Sequence, residues 1–274
     1  MHNERIKSTI DRLSQDNEQI FAALAAGQSG SYADLYQVDL SGRNLPQVDL
    51  RQATLIRANL SQTDFAGANF AQADLRGASL DRSKLKDANL TGACLARVDL
   101  SGADLTGADL TDAKLQGVRY DRHTTFPDNF NYKSSGAIGP GARLNGAQLN
   151  TANLRYIDLQ DASLLGAYLG GADLTGANLQ GARLSQSDLR RAFLTGVCLR
   201  NAGLNAANLA GADLRAADLT DIEFDRLESI AGADFSHVRG LTDEMRSRLL
   251  NYPPSELETY NSFTRNTTGA SLEI

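Results

Sequence analysis

The residue types that do acid–base, nucleophilic or metal chemistry are sparse here and poorly placed for it. The three histidines are His2, His123 and His237, far apart in the chain. His123 stands in a polar stretch and reads as a loop hydrogen-bonder rather than a base. Cys94 and Cys198 are too few to make a disulfide framework in 274 residues. There is no phosphate-cradling glycine loop, nucleophile elbow or zinc-ligand spacing. The aspartates recur singly at fixed intervals, which describes a solvent-facing register rather than paired acids. These observations imply no catalytic, cofactor-binding or metal-ligating residue, no cofactor and no small-molecule substrate. An enzyme is not expected. What remains is chemistry of recognition, in two groups of residues. Arg57, Arg76 and Arg97 form a candidate basic strip, with an ordinary solvated face as the alternative. Phe126, Phe130 and Tyr132 are dense aromatics in one short stretch, serving either as a recognition loop or as a cover that holds that stretch down.

Something must position these side chains, and hydrophobic spacing identifies it. A leucine or phenylalanine falls at every fifth residue from Leu35 through Leu40, Leu45, Phe65 and Phe70 to Leu115 and Tyr120. The series resumes at Leu144 and runs to Leu219 and Phe224. Two residues before a centre the chain is usually alanine, as at Ala53, Ala103, Ala172 and Ala212, with Val38, Val98, Ile157, Ser83 and Thr63 among the replacements. The residue between is often Asp or Asn. On an α-helix, a step of five rotates successive leucines by roughly 140° and buries no face. On a flat strand, an odd step sends them alternately to opposite faces. A coil that turns a corner every five residues points every leucine to one axis.

This pattern, Ala-(Asp/Asn)-Leu-X-X across roughly residues 31–226 with one interruption, resembles the pentapeptide-repeat family. The resemblance implies an all-β solenoid, a right-handed quadrilateral β-helix with four pentads per coil and short α-helical caps at both ends. It places the central residue and the small residue inward, and the Asp or Asn outward, where it can bond nearby backbone. Gly67, Gly77, Gly102, Gly107 and Gly176, two after a centre, suit the positive φ of a type II turn. Pentads with Gln62, Arg97 or Asp112 there are expected to turn differently. About nine coils, stacked at about 4.8 Å, give a rod on the order of 45 Å long. Cys94 and Cys198 both face outward and about five coils apart, too far for a disulfide. A tube of repeated corners is expected to offer no deep pocket.

The resemblance divides the chain into a helical cap over 1–30, a first repeat block over 31–122, an interrupting loop or bulged coil over 123–140, a second block over 141–226, and a cap helix with tail over 227–274. Ile6, Ile10, Leu13, Ile20, Phe21 and Leu24 recur at helical spacing, and Asp16 with Gln19 marks a helix start, so two short helices are expected. They either cap the first coil or form a dimer or partner interface. Leu241, Met245, Leu249 and Leu250 predict a helix from near Thr242, ended by Pro253 and Pro254. The polar tail beyond is expected to lie extended along the rod or to be partly disordered. The interruption carries Thr-X-Phe-Pro followed by Phe-Asn, similar to cyanobacterial members of the family.

Composition narrows the partners. The net charge is −6 with both signs interspersed, so direct nucleic-acid binding is not expected. The first thirty residues lack the apolar core of a signal peptide, and no apolar run approaches the ~20 residues of a membrane span. A soluble, cytoplasmic protein is the expectation, as a monomer or an end-to-end homodimer. Two roles stay open. One is a protein-binding scaffold or regulatory adaptor with an unknown protein partner, in keeping with family members that regulate cell differentiation. The other is a DNA mimic, since some family members inhibit or protect DNA gyrase by presenting an acidic rod. The second role requires a column of carboxylates, whereas Arg57, Arg76 and Arg97 share a face and Lys84 interrupts Asp64 and Asp104.

Overall fold

A computed structural model describes residue 10 and residues 16–273. The expected first cap helix, with Ile6 and Leu13, lies outside the described residues. The chain falls into two compact units, one ending at Ile138 and one beginning at Gly139. Each is a right-handed quadrilateral β-helix.

The backbone accounting explains the five-residue period. Within the pentad centred on Leu50, the Leu50 N–H donates to Asn69 O of the next coil at 2.8 Å. The Gln52 N–H donates to Ala71 O at 2.9 Å, and the Ala53 N–H closes the corner onto Leu50 O at 3.2 Å. The Thr54 N–H reaches back to Ala33 O at 2.9 Å. One donor per pentad remains, on the residue after the centre, and the Asp or Asn before the centre accepts it. Examples are Ser41 N to Asp39 at 2.9 Å, Thr91 N to Asn89 at 3.0 Å and Thr111 N to Asp109 at 2.9 Å. Unpaired backbone donors are costly, so Asp and Asn recur in this register, which Thr54, Ser79 and Cys94 also occupy. Parallel bridges twenty residues apart repeat this, as in Asp34–Thr54–Asp74–Cys94–Lys114 and Arg143–Ser163–Arg183–Gly203–Glu223.

The core follows from the same register. Leu60, Leu80, Leu100, Leu164, Leu174 and Leu179 are fully buried, as are the small residues Ala53, Ala103, Ala172 and Ala212. Phe65 and Phe70 meet edge to face at 5.1 Å inside the first unit.

The corners correct one expectation. Gln62, Arg97 and Asp112 have φ of 57°, 62° and 58°, in the same left-handed region as Gly67 at 67°. A side chain there costs roughly 1–2 kcal/mol. Stacking imposes the conformation regardless, because each corner N–H must meet the next coil, as Gln62 N meets Asp81 O at 2.7 Å.

The interruption over 123–140 is a bulged coil. Thr125 bridges to Asp104 and Ile138 to Arg119, steps of twenty-one and nineteen residues in place of twenty. Asp121 stitches the bulge, accepting from Gly102 N at 2.9 Å, His123 N at 2.9 Å and Thr124 N at 3.0 Å. In the second unit the coil does not stop at 226. One extra residue near Asp225–Glu228 shifts the phase, and bridging continues from Asn208 to Ser229, Asp213 to Asp234 and Asp218 to Arg239. Ile230 and Phe235 take the central positions and are buried.

Both units carry helical closures. Helix α1, Asn17–Ala25, starts at Asp16, whose carboxylate accepts from Glu18 N at 3.0 Å. It buries Ile20, Ala23 and Leu24. Gly30 occupies a central position of the first coil, and Leu24 fills its place: a Cβ on Gly30 would lie 2.7 Å from Leu50 Cδ2 and 3.0 Å from Leu24 Cδ2. Gly30→Leu therefore overpacks this end and should cost about 1–3 kcal/mol in urea denaturation. An unchanged midpoint would show that α1 does not seat there.

After the last coil come α2, Asp243–Leu250, α3, Pro254–Leu257, a two-stranded antiparallel hairpin of β1, Tyr260–Asn261, with β2, Asn266–Thr267, and α4, Thr268–Leu272. Thr242 is the N-cap of α2, but α2 ends at Leu250, and Pro254 opens α3 instead of stopping a helix, since proline suits a first turn. The tail is neither extended nor disordered, but folds over the last coil and meets its backbone edge. Glu256 accepts from Ile230 N at 2.7 Å, Ser271 Oγ from Phe235 N at 3.0 Å and Tyr252 Oη from Leu227 N at 2.8 Å. Leu249 and Leu272 are buried against it.

Candidate interaction surfaces

Arg57, Arg76 and Arg97 come together at one corner on consecutive coils of the first unit. Arg57 N donates to Arg76 O at 3.0 Å, and Gly77, the corner between Arg57 and Arg97, donates its N–H to Ala96 O at 3.0 Å. All three side chains are exposed. They differ in charge state of the surroundings. Arg76 folds back on Asp74, with Nη2 2.7 Å from Oδ2, whereas Arg57 and Arg97 form no ion pair among the described residues. Replacing all three with Gln should leave the melting temperature within about 1–2 °C of wild type, because exposed pairs contribute little.

The Asp74–Arg76 arrangement recurs. Asp49 pairs with Arg51 at 2.8 Å, Asp188 with Arg190 at 2.7 Å and Asp213 with Arg215 at 2.8 Å, each an arginine two residues after its carboxylate. Arg155 and Arg200 instead reach the next coil, to Asp173 at 2.9 Å and Asp218 at 2.6 Å. Lys84 bonds Asp64 at 3.3 Å. The Arg51 side chain holds the Asp49 carboxyl at about 2, well below its ordinary value. Asp74 and Asp188 are lowered by Arg76 and Arg190 in the same way. At Asp213, burial opposes ionisation, but donors from Arg215 and Thr195 outweigh it and the pKa is lowered. A carboxyl with a depressed folded pKa stabilises the fold above its unfolded value and loses that contribution as pH falls through the folded one. Stability should hold flat from about pH 8 to about pH 5 and fall between about pH 4 and about pH 2. Equal denaturation midpoints at both ends of that lower window would contradict the pairing.

Phe126, Phe130 and Tyr132 form one cluster with the buried Tyr120 at the end of the first unit. Phe126 stacks on Tyr132 at 4.4 Å and on Phe130 at 6.0 Å, while Tyr120 meets Phe126 at 5.5 Å and Tyr132 at 5.3 Å, both edge to face. The rings are half-buried and spent largely on one another. Arg57, Arg76 and Arg97 are thus one surface, and the aromatic cluster is another. Cys94 and Cys198 are half-buried free thiols in the outward register.

The second unit carries an open groove that the repeat pattern did not announce. The C-terminal hairpin stands off the solenoid corner and leaves a groove of about 1010 Å³, walled by Gly170, Gly171, Arg191, Phe193, Gly211 and Gly232 on the coil side and by Tyr260 and Phe263 on the hairpin side. Asn261 pins the hairpin, its amide donating to Gly232 O at 2.8 Å. Phe263 meets Phe193 edge to face at 5.0 Å. Phe193 was legible as an exception, an aromatic in the Asp/Asn register, but its partner from the tail was not. Among the described residues no cluster of His, Cys, Asp and Glu is placed to hold a metal, and no helix is long and apolar enough to cross a membrane.

These features agree with the comparisons. The family model for pentapeptide repeats matches in eight copies, within 33–119 and 142–205, more than half of the chain. The chain belongs to the pentapeptide-repeat family. No curated protein matches it. Among solved structures it is similar to HetL, a pentapeptide repeat protein involved in heterocyst differentiation regulation from the cyanobacterium Nostoc sp. strain PCC 7120. That likeness has 26% identity over 81% of this chain and 93% of that one, with a TM-score of 0.29. A second similar protein, alr5209 from the same Nostoc, is 29% identical over 49% of this chain and 97% of its own, with a TM-score of 0.25. QnrB1, a plasmid-mediated fluoroquinolone resistance protein, is 19% identical over 77% of this chain and 89% of its own, with a TM-score of 0.33.

Proposed function

We propose that this protein is a non-enzymatic, cytoplasmic protein-binding scaffold or regulatory adaptor. The observation that carries this reading is charge compensation on the coil faces. Asp49, Asp74, Asp188 and Asp213 each hold an arginine two residues on, so at these four pentads the carboxylate is neutralised beside itself. A DNA duplex presents one negative charge per ~1.7 Å of axis, whereas neighbouring coils recur at about 4.8 Å. A mixed surface on a rigid, fully hydrogen-bonded frame suits recognition of a protein by shape and local charge. Arg57 and Arg97 are candidate contacts on the first unit, with Phe126, Phe130 and Tyr132 as a second patch.

The alternative is a DNA mimic that binds gyrase or another DNA-binding protein. A supercoiling assay with purified gyrase separates the two. The adaptor reading expects no inhibition at micromolar protein. Inhibition that disappears when Asp39, Asp99 and Asp109 are changed to Asn would overturn it. For the adaptor itself, a partner retained by wild type in pull-downs from the source organism should be lost on neutralising Arg57, Arg76 and Arg97. Unchanged retention removes that corner from consideration.

A further inference from the structure

We propose that the groove between the C-terminal hairpin and the second unit's corner is a docking site for an extended acidic peptide that carries an apolar anchor residue. This rests on the reading that the protein binds proteins, and assigns the place and chemistry of one such contact.

Three observations define the occupant. The first is charge. Asp188 is taken up by Arg190, with Nε and Nη2 at 2.8 and 2.7 Å, and Asp213 is taken up by Arg215 at 2.8 Å from both nitrogens. Arg191 has no ion-pair partner among the described residues and its side chain is exposed in the groove wall. The uncompensated charge of the site is therefore positive, which favours a carboxylate-bearing ligand. The second is the apolar surface. Tyr260 is 58% and Phe263 62% exposed, with Phe193 behind them. Large rings that a folded chain leaves in water around a concavity are typical anchors for an apolar side chain. The third is the wall. Its glycines do not open it further, since Arg191 Cγ already lies 3.2 Å from where Gly211 would carry a Cβ, and Thr259 Cγ2 3.2 Å from that of Gly232. The corner amides cannot add a strand, because they are already spent on the next coil: Gly171 N on Arg190 O, Arg191 N on Ala210 O and Gly211 N on Ala231 O, at 2.8 to 2.9 Å. Recognition then falls to the Arg191 guanidinium and the three rings.

The groove volume, about 1010 Å³, is at the upper end of small-molecule pockets, which span about 300–1,000 Å³. With one open side, it suits several residues of an extended chain.

The test uses the full-length protein and three fluorescein-labelled decapeptides. One has glutamates flanking a central phenylalanine. The second replaces the glutamates with lysines. The third replaces the phenylalanine with serine. Fluorescence anisotropy should show saturable binding of the first only, weakened by added salt. Arg191→Glu and Phe263→Ala should each weaken it at least about tenfold, a typical loss for an interface anchor. Both are surface changes, and unaltered melting temperatures check that each variant folds. A photoreactive benzophenone in place of the phenylalanine ring should crosslink to the segment containing Tyr260 and Phe263. No binding of the first peptide, equal binding of all three, or crosslinking elsewhere would overturn the proposal. Single-stranded DNA competing at the same site would do so as well, by assigning the groove to another ligand. The adaptor reading fails separately, in the gyrase assay, so a failed groove leaves it standing.

Discussion

Leu100→Ala and Leu174→Ala should each lower the unfolding free energy by about 2–5 kcal/mol, through lost burial and the cavity left behind. Both side chains are fully buried. Their backbone is fixed twice per pentad: Leu100 N donates to Arg119 O at 2.8 Å and Leu174 N to Phe193 O at 2.8 Å. The walls of the tube therefore cannot close on the missing methyls, and values toward the upper end are expected. The reciprocal change, Ala108→Phe, places a ring where only a methyl fits and should be at least as harmful. Urea denaturation followed by circular dichroism checks all three. Midpoints within error of wild type at both leucine sites would contradict inward-pointing centres.

Removing residues 241–274 should be comparably damaging, and its signature is different. The truncated chain loses the partners of Ile230 N, Phe235 N and Leu227 N, and the cover supplied by Leu249 and Leu272. Each of these donors then turns to water at a net loss of roughly 0.5–1.5 kcal/mol, and an uncovered parallel edge is a template for another chain. The shortened protein should melt lower and associate through the exposed edge, while keeping its β-rich dichroism. Light scattering would report particles larger than the full-length protein. A soluble monomer of wild-type stability would show that the tail closes nothing. If the full-length protein is a dimer that truncation converts to a soluble monomer, the tail is an interface.

The solenoid was legible because one five-residue pattern encodes both the core and the hydrogen-bond ladder. Leu, Ala and Asp/Asn each answer a separate demand of the coil, so their joint recurrence is hard to read otherwise. The corner conformation was misjudged at Gln62, Arg97 and Asp112 because local preference favours glycine there. The ladder overrides that preference, and its strength comes from neighbouring coils rather than from the residue. The coil past 226 was hidden by a single extra residue, which moves the centres off the five-residue grid to Ile230 and Phe235. The closing role of the tail was hidden for a similar reason. Glu256, Tyr252 and Ser271 act at positions set by three-dimensional return of the chain, and no short-range spacing marks them. The groove inherits that opacity, since two of its three rings, Tyr260 and Phe263, come from the returning segment.

The seating of Leu24 where Gly30 lacks a side chain has a consequence for how the chain is made. Helix α1 precedes every repeat, so it leaves the ribosome before them and its apolar face is at hand when the first coil emerges. Each stretch of twenty residues bonds only to the stretches immediately before and after it, as Thr54 N does to Ala33 O and Leu50 N to Asn69 O. Assembly can therefore keep pace with translation, one layer at a time, with little of the sticky interior waiting in solution for a distant partner.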